Sequence, residues 1–161
     1  MIPERLVQCL KTEIEIAVKD YRMKAENQED KLVSVYAQHI PDEDFQNDSY
    51  YPLVIVSLNK VEDMESAEAS GSIATIGLTI GVYGEDKQAW IDLLSIMERI
   101  RQRLLIFRKL DNRFRLVMPA KWETIEAQPY PFWFGYGTLM YQIGQPNECM
   151  ADNWDRIMED N

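Results

Sequence analysis

His39 is the only histidine in this 161-residue chain, so a Ser-His-Asp or Cys-His relay would have to run through it. It closes the run LVSVYAQH and reads as a strand-edge residue rather than a base. Cys9 falls among the apolar positions of an N-terminal helical pattern and reads as a small core residue. Zinc takes about four Cys or His ligands; Cys9, His39 and Cys149 are the only such residues and are widely spread. Asp42, Glu43, Asp44 and Asp48 would suit calcium as hard oxygen donors. Their loop lacks the glycine and closing glutamate of an EF-hand, so it reads as a solvated acidic turn. The glycines at 71, 77, 81, 84, 135, 137 and 144 make neither GxxxxGK[ST] nor a strand-GxGxxG-helix unit. The expectation is a protein that is not an enzyme and takes no metal, nucleotide or covalent cofactor. Carboxylates converging from distant segments are the enzymatic alternative.

A net charge of −10 argues against uniform phosphate neutralisation along DNA or RNA and against attraction to anionic lipid. The N-terminal MIPERLVQCLKTE has no basic head followed by an apolar run, so no signal peptide is expected. No run approaches 18 uninterrupted apolar residues, so no membrane span is expected. Two cysteines in unlike contexts do not indicate a disulfide scaffold, and a reducing cytosolic setting fits.

The elements that would position these groups follow from periodicity. Leu6, Val7, Leu10, Ile14, Ala17, Val18 and Tyr21 share one face of a helix predicted over about 3–23, with Pro3 suited to its first turn. Residues 32–39 and 53–58 read as strands, with a turn-rich acidic connection over 41–52. Residues 59–72, NKVEDMESAEASGS, are polar and acidic and read as a long mobile loop of a hairpin. In 73–83 Ile76, Leu78, Ile80 and Val82 alternate with Thr75, Gly77, Thr79 and Gly81. This is a strand whose small face invites close approach by another backbone or helix. A second helix follows YGED, with Trp90, Leu93, Leu94, Met97, Ile100, Leu104 and Phe107 as its apolar stripe. Short strands are predicted over 114–118, 121–127 and 134–143. Helices and strands do not alternate regularly. The predicted fold is α+β, a mainly antiparallel sheet with two helices packed on one face. Residues 1–146 read as a single α+β domain and 147–161 as an acidic C-terminal tail.

Charge is unevenly spread. Arg99, Arg101, Arg103, Arg108, Lys109, Arg113 and Arg115 are opposed only by Asp111 within 99–115, while 42–48, 62–68 and 148–160 are acidic. Three readings stay open: a solvated helix back, a nucleic-acid-binding helix short of stacking aromatics, and a basic patch meeting an acidic loop on the next subunit, which closes a ring if the rotation allows. Arg99 and Arg103 share one helix face and are the candidate cations of the third reading. QPYPFWFGYGTLMYQIGQP (128–146) holds six aromatic residues between Tyr130 and Tyr141. It is too short and too β-like for a membrane anchor. Large groups fall on both faces of its strand, so it is expected to be covered twice, by the helices and by a neighbouring subunit. A strand buried wholly within one chain is the alternative. Phe132, Trp133, Phe134 and Tyr136 are the candidate contact residues.

Three stretches together resemble the tail-terminator, or tail-completion, proteins of tailed bacteriophages and prophages. They are the helix PERLVQCLKTEIEI, the strand-to-helix passage IGLTIGVYGEDKQAWIDLLSIMERIRQRL, and the late strand PYPFWFGYGTLMYQI, spanning about 3–145. The 147–161 tail lies outside the match. The resemblance implies an α+β protein that assembles with itself, usually as a hexameric ring. Such a ring caps the tail tube and presents a surface to the head-tail connector, and DNA passes through its lumen without specific binding. Its partners would be the tail tube protein and the connector protein. Its location would be the virion tail, assembled in the host bacterial cytoplasm. Head-closure and sheath-capping proteins of contractile tails are the neighbouring readings, and a nucleic-acid-binding accessory protein is the reading from another class.

Overall fold

The computed structural model describes residues 2–65 and 70–146. The expected tail, 147–161, lies outside the described residues. Helix α1 spans Ile2–Val18, strand β1 Ser34–Ala37, β2 Leu53–Glu65, β3 Ser70–Tyr83, helix α2 Gln88–Ile106, β4 Lys109–Leu110, β5 Phe114–Thr124 and β6 Phe132–Ile143. The six strands form one sheet in the order β1-β2-β3-β6-β5-β4. Only β1 and β2 run parallel; the other neighbouring pairs are antiparallel. The fold is α+β, as the order of elements predicts.

Both helices cover one face of the sheet. Leu6, Leu10 and Ile14 of α1 and Leu93, Ile96, Ile100 and Leu104 of α2 are buried against Val54, Val56, Ile76, Leu78, Ile80, Leu139 and Tyr141. The alternation of β3 is realised as predicted, with Ala74 to Val82 on this face. Helix α1 stops at Val18 rather than near Met23. The backbone N–H groups of Lys24 and Ala25 and the Tyr21 hydroxyl all donate to the buried carboxylate of Asp92 on α2, at 2.6–2.8 Å. The chain therefore leaves the helix to satisfy a partner across the layer. Helix α2 buries a stripe rotated from the predicted one. Leu93, Met97, Ile100 and Leu104 are buried, joined by Ala89, Asp92 and Ile96, whereas Trp90, Leu94 and Phe107 are exposed.

Residues 59–72 are not a long loop. β2 continues through Glu65, and the ladder runs from Lys60↔Thr75 to Glu65↔Ser70, with one irregularity between Leu58 and Lys60. Neither face of this extension of β2 is buried, so no apolar alternation marks it in the sequence, while main-chain pairing holds it. Residues 66–69 lie outside the described residues. The two strands predicted over 114–118 and 121–127 are one strand, β5, whose ladder to β6 shifts between Val117 and Lys121. Pro119 lies at this break and has no N–H to donate.

The second face of the sheet is covered at one end by the chain itself. Residues 40–51 fold across it, and Ile40, Tyr51, Leu53, Ile55 and Phe132 form a second buried cluster edged by Tyr36, Tyr50, Tyr83 and Phe134. Tyr51 lies over Gly81, where an added Cβ would meet its ring at 2.6 Å; the small-residue face of β3 makes that approach possible. Tyr51 is only 2 % exposed and has no room to swing away. Gly81→Ala is therefore expected to cost about 1–3 kcal/mol by overpacking, read as a lower denaturant midpoint.

Burial raises the Tyr21 and Tyr51 phenols from the ordinary 10 to about 12; for Tyr21 the bond to Asp92 adds to it. In the unfolded chain both ionise near pH 10, whereas the folded chain keeps the proton. Their contribution to stability is complete below pH 10 and is lost as pH rises toward 12. The urea midpoint is expected to fall most steeply from pH 10 to 12, and less steeply there in Tyr21→Phe.

Candidate assembly interface

The groups first considered for catalysis are scattered. His39 is exposed just beyond β1, and its backbone N–H donates to Ala37. Cys9 is half-buried against the core, and burial pushes its thiol up. In the 42–48 turn, Asp42 accepts from the Tyr50 hydroxyl and Asp44 from the Gln46 N–H, which are local contacts that shape the loop. Among the described residues, no three His, Cys, Asp or Glu side chains gather as a metal site would require.

The predicted contact residues divide into two groups. On α2, Arg103 donates to Glu13 of α1 at 2.8 Å, with both side chains half-buried, and its guanidinium sits 4.3 Å from the centre of the Phe107 ring. Arg99 lies 5.2 Å from the centre of the Tyr21 ring. Arg103 thus joins the two helices within one chain, and Arg99 covers the Tyr21–Asp92 junction.

In the aromatic strand, Phe132 is 9 % exposed and belongs to the second core. Phe134 is half-buried, with its ring 5.9 Å from that of Tyr51, and its backbone is held by Gln128: the side chain accepts from Phe134 N–H and donates to Phe134 carbonyl. Trp133 is half-buried against the helix-side core, and its indole N–H donates to the Gly84 carbonyl at 2.9 Å. Tyr136 is exposed at 38 %. The cover expected from a neighbouring subunit is, over Phe132 and Phe134, the chain's own 40–51 segment. Trp133→Ala is accordingly expected to lower monomer stability by about 3 kcal/mol, measured by urea unfolding of dilute protein. Unchanged monomer stability would mean the indole serves only an interface.

The feature that spacing alone does not reveal is the charge at the two lateral borders of the sheet. β1 pairs only with the first part of β2, leaving the outer edge of β2 beyond Val56 without a strand partner. That edge carries Glu62, Asp63 and Glu65; Lys60 pairs with Glu62 at 2.7 Å, and Asp63 accepts from the Ser72 hydroxyl. At the opposite border, β4 pairs only with Phe114 and Arg115; the acids Asp111 and Glu123 are exposed there, outnumbered by the exposed cations Lys109, Arg113, Arg115 and Lys121. None of these four takes part in an ion pair among the described residues. A side chain–backbone contact, Arg108 to Leu105, keeps the adjacent guanidinium on the same border. The sheet is therefore acidic along one open edge and basic along the other, and unpaired backbone on both edges is available for pairing.

No protein-family model and no curated protein sequence matches the chain. Among solved structures, the chain is similar in shape to a chain of a structure described as the virion of a native gene transfer agent particle. The two share 13 % identity over 86 % of this chain and 93 % of that one, with a TM-score of 0.49.

Proposed function

We propose that this chain is a structural protein of a phage-like virion that caps the tail tube as a hexameric ring and presents a surface to the head-tail connector. The observation that carries the reading is the opposite charge of the two open sheet edges. An acidic β2 edge meeting the basic β4–β5 edge of the next copy is a heterologous contact, which repeats around a ring and leaves no copy unpaired once closed. The resemblance of the α1, β3–α2 and β6 segments to tail terminators supplies the biological setting. In this reading the contact cations are Arg113 and Arg115, with Arg99 and Arg103 bracing the helix layer behind them. Trp133 braces β6 from the helix side, Tyr136 projects from the other face beside Phe134, and DNA passes the acidic subunits without specific binding. The protein acts in the virion tail after assembly in the host cytoplasm, and no enzymatic step is involved.

The direct test is termination. Added to polymerising tail tube protein, the chain should shorten the tubes and appear at one end of each in electron micrographs. Tubes of unchanged length and bare ends would contradict the reading.

A further inference from the structure

We propose that the end of the molecule where β3 passes into α2 holds a socket for an arginine side chain from a partner protein chain. Glu26, Asn27, Gln28, Tyr83, Glu85, Asp86 and Tyr130 line a solvent-open cavity of about 450 Å³. Gln28 is 6 % exposed, and its Oε1 is buried with no hydrogen-bond partner. Asp86 Oδ1 is likewise buried and unpartnered, while its Oδ2 takes only a long 3.3 Å bond from the Glu26 N–H. Glu85 receives a weak 3.4 Å contact from the Tyr83 hydroxyl. Among the described residues, Glu26, Glu85 and Asp86 take part in no ion pair. A buried acceptor left without a donor is costly; Gln28 Oε1 and one oxygen of Asp86 are two such acceptors, and with the exposed Glu26 and Glu85 carboxylates beside them they suit a cationic donor.

The form of the socket selects among cations. Its carboxylates do not gather as metal ligands do, which disfavours a divalent ion needing several oxygens at short range. The acceptors are spread instead over two chain segments, 26–28 and 85–86. A guanidinium reaches separated acceptors with five N–H donors in one plane, and it stacks on aromatic rings. Tyr83 and Tyr130 line the cavity, the latter fixed by its hydroxyl donating to the Glu85 carbonyl at 2.9 Å. A lysine ammonium, a compact point charge, would satisfy fewer of these groups. The sheet edges proposed above as ring contacts lie elsewhere, so the socket does not depend on ring formation.

The test is calorimetric titration of the full chain with N-acetyl-arginine amide and, as a control of the same shape without charge, N-acetyl-citrulline amide. Saturable binding of the arginine compound is expected, weakened roughly tenfold or more with citrulline and in Asp86→Asn. Glu85→Gln, an exposed position, gives the same result if Asp86→Asn fails to fold. Equal binding of the two compounds, or binding untouched by either substitution, overturns the proposal. So does calcium chloride binding more tightly than the arginine compound and displacing it. Given arginine-selective binding, native mass identifies the source. A mass lowered by Asp86→Asn assigns the arginine to a second copy of this chain, and an unchanged mass assigns it to a different protein.

Discussion

Asp92→Ala is expected to destabilise the protein by about 3–5 kcal/mol, a large part of the stability of a domain of this size. Asp92 is 0 % exposed in the middle of the α2 stripe. Its carboxylate accepts from the Tyr21 hydroxyl at 2.6 Å and from the backbone N–H groups of Lys24 and Ala25 at 2.8 Å each. Truncation strands the buried Ala25 N–H, the part-buried Lys24 N–H and a phenol hydroxyl at once, and opens a cavity between the helix layer and the 19–25 segment. Asp92→Asn keeps the shape but turns one acceptor into a donor facing donors, so a loss of about 2 kcal/mol is expected. Tyr21→Phe removes one bond of the three and should cost less than Asp92→Ala. Urea unfolding of the three variants checks the ranking. If Asp92→Ala lost less than Tyr21→Phe, the carboxylate would not be what ties the segment after α1 to α2.

The second large effect concerns assembly. Arg113→Glu with Arg115→Glu is expected to weaken self-association by roughly a hundredfold, about 3 kcal/mol per contact, while the urea midpoint of the dilute chain stays nearly unchanged. Both side chains are exposed on β5 and its approach, with no ion-pair partner among the described residues. In the proposed ring the reversal would set like charges against Glu62, Asp63 and Glu65 of the next copy. Restoring opposition with Glu62→Lys and Glu65→Lys in the same chain should recover association. Recovery separates an edge-to-edge contact from a general effect of net charge. Reversing Arg103 instead would break its bond to Glu13 and confuse stability with assembly.

The layered arrangement was legible because β3 alternates with period two and both helices carry apolar residues at three- and four-residue spacing. What escaped had physical causes. Strand pairing from Lys60 to Glu65 is carried by backbone and exposed on both faces, so its charged residues look like a loop. Asp92 sits inside an apolar stripe, where a carboxylate reads as a boundary rather than a hub. The second cover over Phe132 and Phe134 comes from 40–51, a turn-rich stretch whose Ile40 and Tyr51 bracket a run of acids. Nothing local says it folds back over the sheet. The candidate contact residues were visible as composition, but which cations lack an internal partner emerges only with the chain folded. Arg103 is engaged with Glu13, whereas Arg113 and Arg115 form no ion pair among the described residues.

The central claim is that one chain carries two complementary edges that close on further copies of itself. Native mass spectrometry of the purified 161-residue chain at moderate salt tests it most directly. The account predicts a single dominant species of six copies of the 18.9 kDa chain, falling to monomer in Arg113→Glu/Arg115→Glu and returning when Glu62 and Glu65 are made lysine. A monomer at every concentration, or an oligomer whose mass the double reversal leaves unchanged, would contradict it.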